Sequence, residues 1–277
     1  MFSSLYWAIS DHSPQLRRLL RRWGYDYLAG RFQHDDWTFM NFGYAAPEPN
    51  PSKLSLWSSD EPDRLHIELY HRVIGPVVLH GRDILEIGCG RGGGASYVAR
   101  YFRPRSMVGI DFSVRVVGFC LRRHAVAVLK FCVGDAEALP IRDASFDAVV
   151  NIESSHCYAS MPRFLGQVRR VLRPGGHLMF ADLRSRRRLP LLIEQIRTSG
   201  MHIVDAEDIT RSVVKALDLD SARKREIIRR RAPRVMQSAL SWFVGVAGTR
   251  TYQALSQGHA VYLRYVLSKP GVSANKD

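Results

Sequence analysis

The stretch from Arg82 to Gly94, RDILEIGCGRGGG, constrains the fold more than any other part of the chain. It reads as a short buried strand, Ile84 to Ile87, running into a turn with glycine at 88, 90, 92, 93 and 94. So many positions without side chains, directly after a strand, mean that something approaches the backbone closely there. A helix read from Ala95 to Tyr101 would aim its unpaired N–H groups and positive dipole end into that turn. This is the pattern of a nucleotide-cofactor loop. Gly88, Gly90 and Gly93 satisfy the G-x-G-x-x-G spacing of dinucleotide sites, and Asp111 follows roughly 20 residues on, where a ribose-binding acid is expected. The loop alone leaves the nucleotide open, and a glycine turn without a ligand is the plain alternative.

At 277 residues and 46% hydrophobic composition the chain is long and apolar enough to bury a core, which excludes a disordered protein. No apolar run approaches the ~18 residues of a spanning helix, Ala239 to Ala247 being the longest comparable stretch. The first ten residues lack a basic segment and a cleavage site, so a secretory leader is not expected. Cysteines 89, 120, 132 and 157 form no C-x-x-C pair. That pattern points to reduced thiols in a cytoplasm rather than to a disulfide or zinc framework. The formal net charge is +14, concentrated in three places: Arg17, Arg18, Arg21 and Arg22; Arg184 with Arg186 to Arg188; and the run from Arg223 to Arg234. Either these are a solvated surface or they meet an acidic partner.

Ser13-Pro14 starts a helix whose Leu16, Leu19, Leu20 and Trp23 form one stripe, with the four arginines between them. Such a basic amphipathic helix packs on the domain or lies on an anionic membrane. Phe32 to Pro51 reads as a long functional loop, and Asp63 to Ile74 as a second helix. From Asp83 onward strands at 84–87, 107–110, 128–133, 146–151 and 177–182 alternate with helices at 95–102, 114–123 and 161–172. A helix at 189–199, a short strand at 201–204, a helical basic insert and a last strand at 260–267 follow. The alternation predicts an α/β fold with helices on both faces of a mainly parallel sheet. The expected organisation is a cap at 1–80, a cofactor-binding core at 81–205, a substrate-cover insert at 206–250, the closing strand at 251–269 and a flexible tail from 270.

Four further motifs decide the cofactor. VGID (108–111) and VGDAEALP (133–140) each end a strand in an acid, and SFDAVVNIES (145–154) precedes LRPGGHLMFAD (172–182). With EIGCGRG they resemble, in order and spacing, the class I S-adenosylmethionine-dependent methyltransferases; a dinucleotide dehydrogenase does not account for GDAEALP or LRPGG. MNFGYA (40–45), SDEPDRLHIELYHR (59–72) and NIESSHCY (151–158) are further similar to the phthiotriol dimycocerosate methyltransferase-like enzymes. The small-molecule O-methyltransferases of antibiotic pathways are more distant. The resemblance implies a Rossmann-like, seven-stranded sheet with an antiparallel last strand and a helical cap. It also implies S-adenosylmethionine as cofactor. Gly88, Cys89 and Gly90 would lie against its methionine end with Glu86 nearby, and Asp111, with Phe112 beside it, would take the ribose hydroxyls. Asp135 and Ala136 would read the adenine, Asn151 would hold the amino-acid end, and Tyr44 would close over the site. As plain alternatives, Asp111 and Asp135 are strand-end turn acids.

Methyl transfer from a sulfonium to an alcohol needs positioning and a base. His156 follows a strand end at the edge where α/β ligands bind, and Asp182 ends another strand at that edge. In the resembling sugar O-methyltransferases a histidine and an aspartate at these two positions work as a pair, the aspartate orienting the imidazole. Packing or helix capping is the other reading of His156; His66 and His71 could also reach the cleft, and His71 is the reserve base. No metal-ligand spacing occurs. The expected acceptor is a hydroxyl of a hydrophobic polyketide-like metabolite or lipid, held under the aromatic preface and the insert. Carbon methylation of a prenyl or lipid alkene, with Glu153 or Tyr158 stabilising the cation, stays open, as does methylation of an amine. A nucleic-acid substrate is not expected, because NIES stands where such enzymes carry N-P-P-[YF]. The expected location is cytoplasmic or peripheral to a membrane.

Overall fold

The structure, a computed structural model, describes residues 37–47 and 54–271. The helix expected from Ser13, part of the Phe32–Pro51 loop and the tail lie outside the described residues. A 3-10 turn at Ser58–Asp63 leads into α1 (Arg64–Ile74). The core then runs β1 (Asp83–Ile87), α2 (Gly93–Tyr101), β2 (Ser106–Asp111), α3 (Val114–Arg123), β3 (Leu129–Val133), β4 (Phe146–Ile152), α4 (Met161–Val171) and β5 (Leu172–Ser185). It continues through α5 (Leu189–Arg197), β6 (His202–Asp208), α6 (Thr210–Arg231), α7 (Arg234–Phe243), α8 (Arg250–Ser256) and β7 (Ala260–Ser268).

The seven strands form one sheet in the order β3-β2-β1-β4-β5-β7-β6. All pairings through β5 are parallel, while β7 runs antiparallel to both β5 and β6. The middle strands are apolar on both faces because helices cover both. Ile84 of β1 and Ala148, Val150 and Ile152 of β4 join one core cluster, whereas Leu85, Ile87 and Val149 join the other. That is the two-residue period of a strand with two buried sides. Side-chain caps start α3 and α4: Ser113 Oγ accepts from Val116 N–H, and Ser160 Oγ from Arg163 N–H.

Several elements differ from the sequence reading. β5 begins at Leu172, where it pairs with Phe146, and so takes in the LRPGG turn. β6 runs to Asp208 rather than ending at 204, and the helical cover starts only at Thr210. Almost all of β6 is exposed, so it lacks the apolar alternation that marks a strand; pairing with β7 alone defines it. The short helix α8 was not expected. Thr249 caps it, and only Leu255 is buried. None of the described helices is long and apolar enough to cross a membrane.

Candidate active site

The strand order reverses at β1, with β2 on one side and β4 on the other, and a crevice opens at such a switch point beyond the carboxyl ends of the strands. Gly88 leaves β1 at φ 73°, and a Cβ there would lie 1.9 Å from Ser154 Oγ. Only glycine fits that turn. Gly90 N–H donates to Asp111 Oδ2 at 3.1 Å, while Asp111 Oδ1 accepts from Ser113 N–H at 3.0 Å. The buried Asp111 therefore braces the glycine loop against the start of α3, with the half-buried Phe112 beside it. Asp135, half-buried just past β3, accepts from Glu137 N–H at 3.0 Å, and Ala136 is buried next to it. Cys89 lies buried under the loop, and Cys120 Sγ reaches the Gly90 carbonyl at 3.2 Å.

Asn151, fully enclosed in β4, donates from Nδ2 to the Ile87 carbonyl at 2.8 Å and to Tyr158 Oη at 2.9 Å. Those acceptors fix the amide orientation, and Oδ1 is left buried without a hydrogen bond. An enclosed acceptor left unsatisfied costs about 1–3 kcal/mol. The ammonium of S-adenosylmethionine is a donor of the kind that Oδ1 lacks, so the residues present fit that group. Ser154 Oγ and Tyr158 Oη share a hydrogen bond at 2.6 Å over Gly88. Glu86 turns instead to α1: its Oε1 accepts from Tyr70 Oη at 2.6 Å. Burial, with the Asp111 charge nearby and against that hydrogen bond, pushes Glu86 up to about 8.

On the far side of β4 the chain forms a 3-10 turn at Ser155–Cys157. It carries His156 over Asp182 of the neighbouring β5, with Nδ1 and Asp182 Oδ1 2.7 Å apart. Asp182 is fully buried and also accepts from Ser155 Oγ at 2.7 Å, His156 N–H at 2.8 Å and Leu183 N–H at 2.8 Å. Arg184 Nη1 lies 3.0 Å from its Oδ2. Burial opposes ionisation of both groups. The mutual attraction wins: it raises His156 well above the ordinary imidazole range and, with Arg184, holds Asp182 far below the carboxylate range. The imidazole keeps 30% side-chain exposure, so its outer edge is reachable.

Glu153, between these two halves, adopts φ 48°, the left-handed region that non-glycine residues avoid. Its Oε1 accepts from Phe42 N–H at 2.7 Å and from Tyr262 Oη at 2.8 Å. It thus pins the 37–47 segment across the sheet edge, where Gly93 N–H also donates to the Thr38 carbonyl at 3.2 Å. Burial pushes Glu153 up to about 7. Tyr44 sits in the same segment but is buried between α1 and α6: its N–H donates to the Leu65 carbonyl and that of Ala45 to the Ser212 carbonyl. The reserve base His71 is bonded to Tyr97 Oη at 3.0 Å. Among the described residues no group of three or more His, Cys, Asp or Glu is placed to hold a metal.

Sequence reasoning missed two members of this edge. Arg184 was counted with a surface charge cluster, yet it stands two residues beyond Asp182 on one strand face, a period-two signal that could have found it. Tyr262 comes from an antiparallel strand 109 residues away from Glu153, and no local pattern announces it.

A seven-stranded sheet of this order, with a glycine loop at its switch point and strand-end acids around it, defines a class I methyltransferase fold. The comparisons agree. A family model described as a methyltransferase domain matches residues 85–180. The phthiotriol/phenolphthiotriol dimycocerosates methyltransferase of Mycobacterium leprae is 38% identical over 262 residues, covering 95% of this chain and 96% of that protein. A fatty-acid O-methyltransferase of Mycolicibacterium smegmatis is 37% identical over 246 residues, covering 89% and 88%. Among solved structures, a putative sarcosine dimethylglycine methyltransferase from Galdieria sulphuraria shares the fold, with TM-score 0.69, 14% identity, and 87% and 98% of the two chains covered. The chain belongs to the S-adenosylmethionine-dependent methyltransferase family.

Proposed function

We propose that this methyltransferase acts on a hydroxyl oxygen of a hydrophobic, lipid-like or polyketide-like acceptor, with His156 as general base and Asp182 as its orienting partner. The reading rests on the 2.7 Å contact between His156 Nδ1 and Asp182 Oδ1 at the edge beside the glycine loop. The names of two relatives, one of which methylates fatty acids and the other phthiotriol lipids, support the acceptor class. When bound, S-adenosylmethionine supplies a methyl carbon on a good leaving group. Asn151 Oδ1 with the Gly88–Gly90 backbone would hold its methionine end, Asp111 its ribose, and Asp135 with Ala136 its adenine. Glu86, whose Oε1 accepts from Tyr70 Oη, would face the same methionine end.

With Nδ1 committed to Asp182, Nε2 is the nitrogen that takes the acceptor proton. Asp182 then stabilises the imidazolium, as in a catalytic triad without its serine. The residues of 1–80 and of α6 and α7 would serve as the acceptor cover, a division that follows the expected domains except that β6 belongs wholly to the sheet. The raised His156 has a consequence of definite sign. The base must be neutral to act, so kcat/KM rises with pH through a midpoint above 6.5, the unperturbed histidine value. The stability drawn from the pair runs the other way: it is complete below pH 6.5 and is lost as pH rises through the raised folded value.

The test is methyl transfer from labelled S-adenosylmethionine to hydroxylated lipids, with cofactor affinity measured by calorimetry. His156→Ala is expected to lower kcat about 10²–10⁴-fold while cofactor affinity stays within about threefold. A variant that keeps most of its activity would remove His156 from the chemistry. A methyl group found on carbon in the product would replace oxygen as the acceptor atom.

A further inference from the structure

The segment 37–47, α1, α6 and α7 enclose a cavity of about 760 Å³ including its open mouth. Its walls are largely apolar, with Trp37, Phe39, Met40, Ile227, Ile228 and Leu240 among them. The ionic side chains on the same wall are Arg223, Lys224 and Arg231 against the single carboxylate of Asp63. These cations come from the basic run 223–234 that the sequence left unassigned.

Lys224 is the decisive one. It is 8% exposed, and its ammonium makes no hydrogen bond. Its ion-pair contact, Asp220 Oδ2 at 3.4 Å, is spread among several groups, because Arg223 Nε holds Asp220 Oδ1 at 2.7 Å and His66 Nε2 lies 3.3 Å from Oδ2. His66 does not relieve it. The imidazole stacks on Phe39, faces Asn41 Oδ1 through Nδ1 at 3.1 Å, and its Nε2 lies 3.1 Å from Arg223 Nη2. Burial pulls His66 below the ordinary imidazole range, against the attraction of Asp220. The buried Lys224 ammonium thus meets Asp220 Oδ2 through a long, shared contact and makes no hydrogen bond, which leaves it donors for a further acceptor on the wall of an otherwise greasy cavity. A buried charge of this kind is costly until an oxygen, best an anionic one, satisfies it.

We propose that the cavity recognises an acceptor carrying a carboxylate, which Lys224 binds while the hydrocarbon chain lies along Met40, Ile227, Ile228 and Leu240. The inference rests on the lipid-like acceptor proposed above and narrows it to acidic lipids, such as hydroxylated long-chain acids. Lys224 acts as a specificity-determining residue, and Asp220 and His66 hold it in place. A charge-assisted contact made only by the acid distinguishes it from the corresponding ester.

The experiment is calorimetric binding of 3-hydroxyhexadecanoate and of its methyl ester to the full chain, with S-adenosylhomocysteine present so that no transfer occurs. The acid is expected to bind at least about tenfold tighter than the ester. Lys224→Met is expected to erase that difference by weakening the acid alone, and Lys224→Arg to keep most of it. Equal binding of acid and ester by the wild type overturns the proposal without any variant, as does equal weakening of both ligands by Lys224→Met, or the binding of neither ligand. A protein that methylates the hydroxyl of the neutral ester as well as that of the acid would retain the proposed function and lose only this specificity.

Discussion

Around Gly88 the molecule presents backbone. The turn carries positive φ values at Gly88, Gly90 and Gly92, and main-chain N–H groups meet the Ile110 carbonyl and the Asp111 carboxylate. Under α6 and α7 it presents side chains from distant parts of the chain, with Asp63 and His66 of the first hundred residues set against Asp220, Arg223 and Lys224. One half therefore binds through geometry that few substitutions can imitate. The other offers charges that can be exchanged one at a time. That contrast suits an enzyme family with one constant cofactor and variable acceptors, because the cover can be re-lettered while the loop stays fixed.

The largest effect on cofactor binding should come from placing a methyl group in the loop. Gly88→Ala puts a Cβ 1.9 Å from Ser154 Oγ at φ 73°, so Ser154 must turn and give up Tyr158 Oη. Strain of about 2 kcal/mol at such a position corresponds to roughly 30-fold weaker S-adenosylmethionine binding, while acceptor binding under α6 should be unchanged. The cover supplies the control. At Gly248, φ 91°, an added Cβ meets nothing within 4 Å, so Gly248→Ala should cost only about 1 kcal/mol of stability and leave the cofactor affinity alone. Equal loss of cofactor binding in both variants would break the contrast.

On folding stability, rather than cofactor binding, the charge centre of the cover should count most. Asp220→Asn removes the carboxylate that Arg223, Lys224 and His66 share in a buried site. Leaving such cations uncompensated costs about 3 kcal/mol, read as a fall in Tm of roughly 6–12 °C. Burial favours the neutral acid, yet the hydrogen bonds and charges of His66, Arg223 and Lys224 hold Asp220 below the carboxylate range. Its stabilisation is therefore present above the unfolded value near 3.8 and lost as pH falls below it. Scanning calorimetry should show a wild-type Tm that drops on acidification more steeply than that of the variant. Cofactor affinity near neutral pH should move by less than about threefold, because the loop shares no hydrogen bond with this cluster. A large cofactor effect would mean that the two halves are coupled.

The same contrast explains what could be read from the chain. The glycine loop, the strand-end acids and the alternation of short apolar strands with helices are local, so composition and spacing expose them. The pairing of His156 with Asp182 was legible only through the resemblance, since 26 residues separate them. The cover resisted because its contacts have no period. His66 and Arg223 are 157 positions apart, and a run of arginines looks alike whether it faces water or lines a cavity. Only the far half of β6, past Val204, hid for a related reason: with nearly every side chain exposed, the β7 backbone alone marks it as a strand.

Glu153 joins the two halves and should give the smallest effect, which makes it the finest test. Its carboxyl accepts from Phe42 N–H and Tyr262 Oη, and burial raises it to about 7. An acid whose folded value exceeds its unfolded one contributes stability below pH ~4.5, and that contribution is lost as pH rises through the folded value. Glu153→Gln keeps a carbonyl oxygen for both donors and removes the titration. Activity at pH 6 should therefore stay within about threefold of wild type, the size of one neutral hydrogen bond altered. Above pH 7 the variant should be the more stable of the two, because the wild type must then hold a buried carboxylate beside Asp182. A glutamine variant that loses acceptor affinity at every pH would show that the negative charge itself, and not the pinning of the 37–47 segment, is what the site requires.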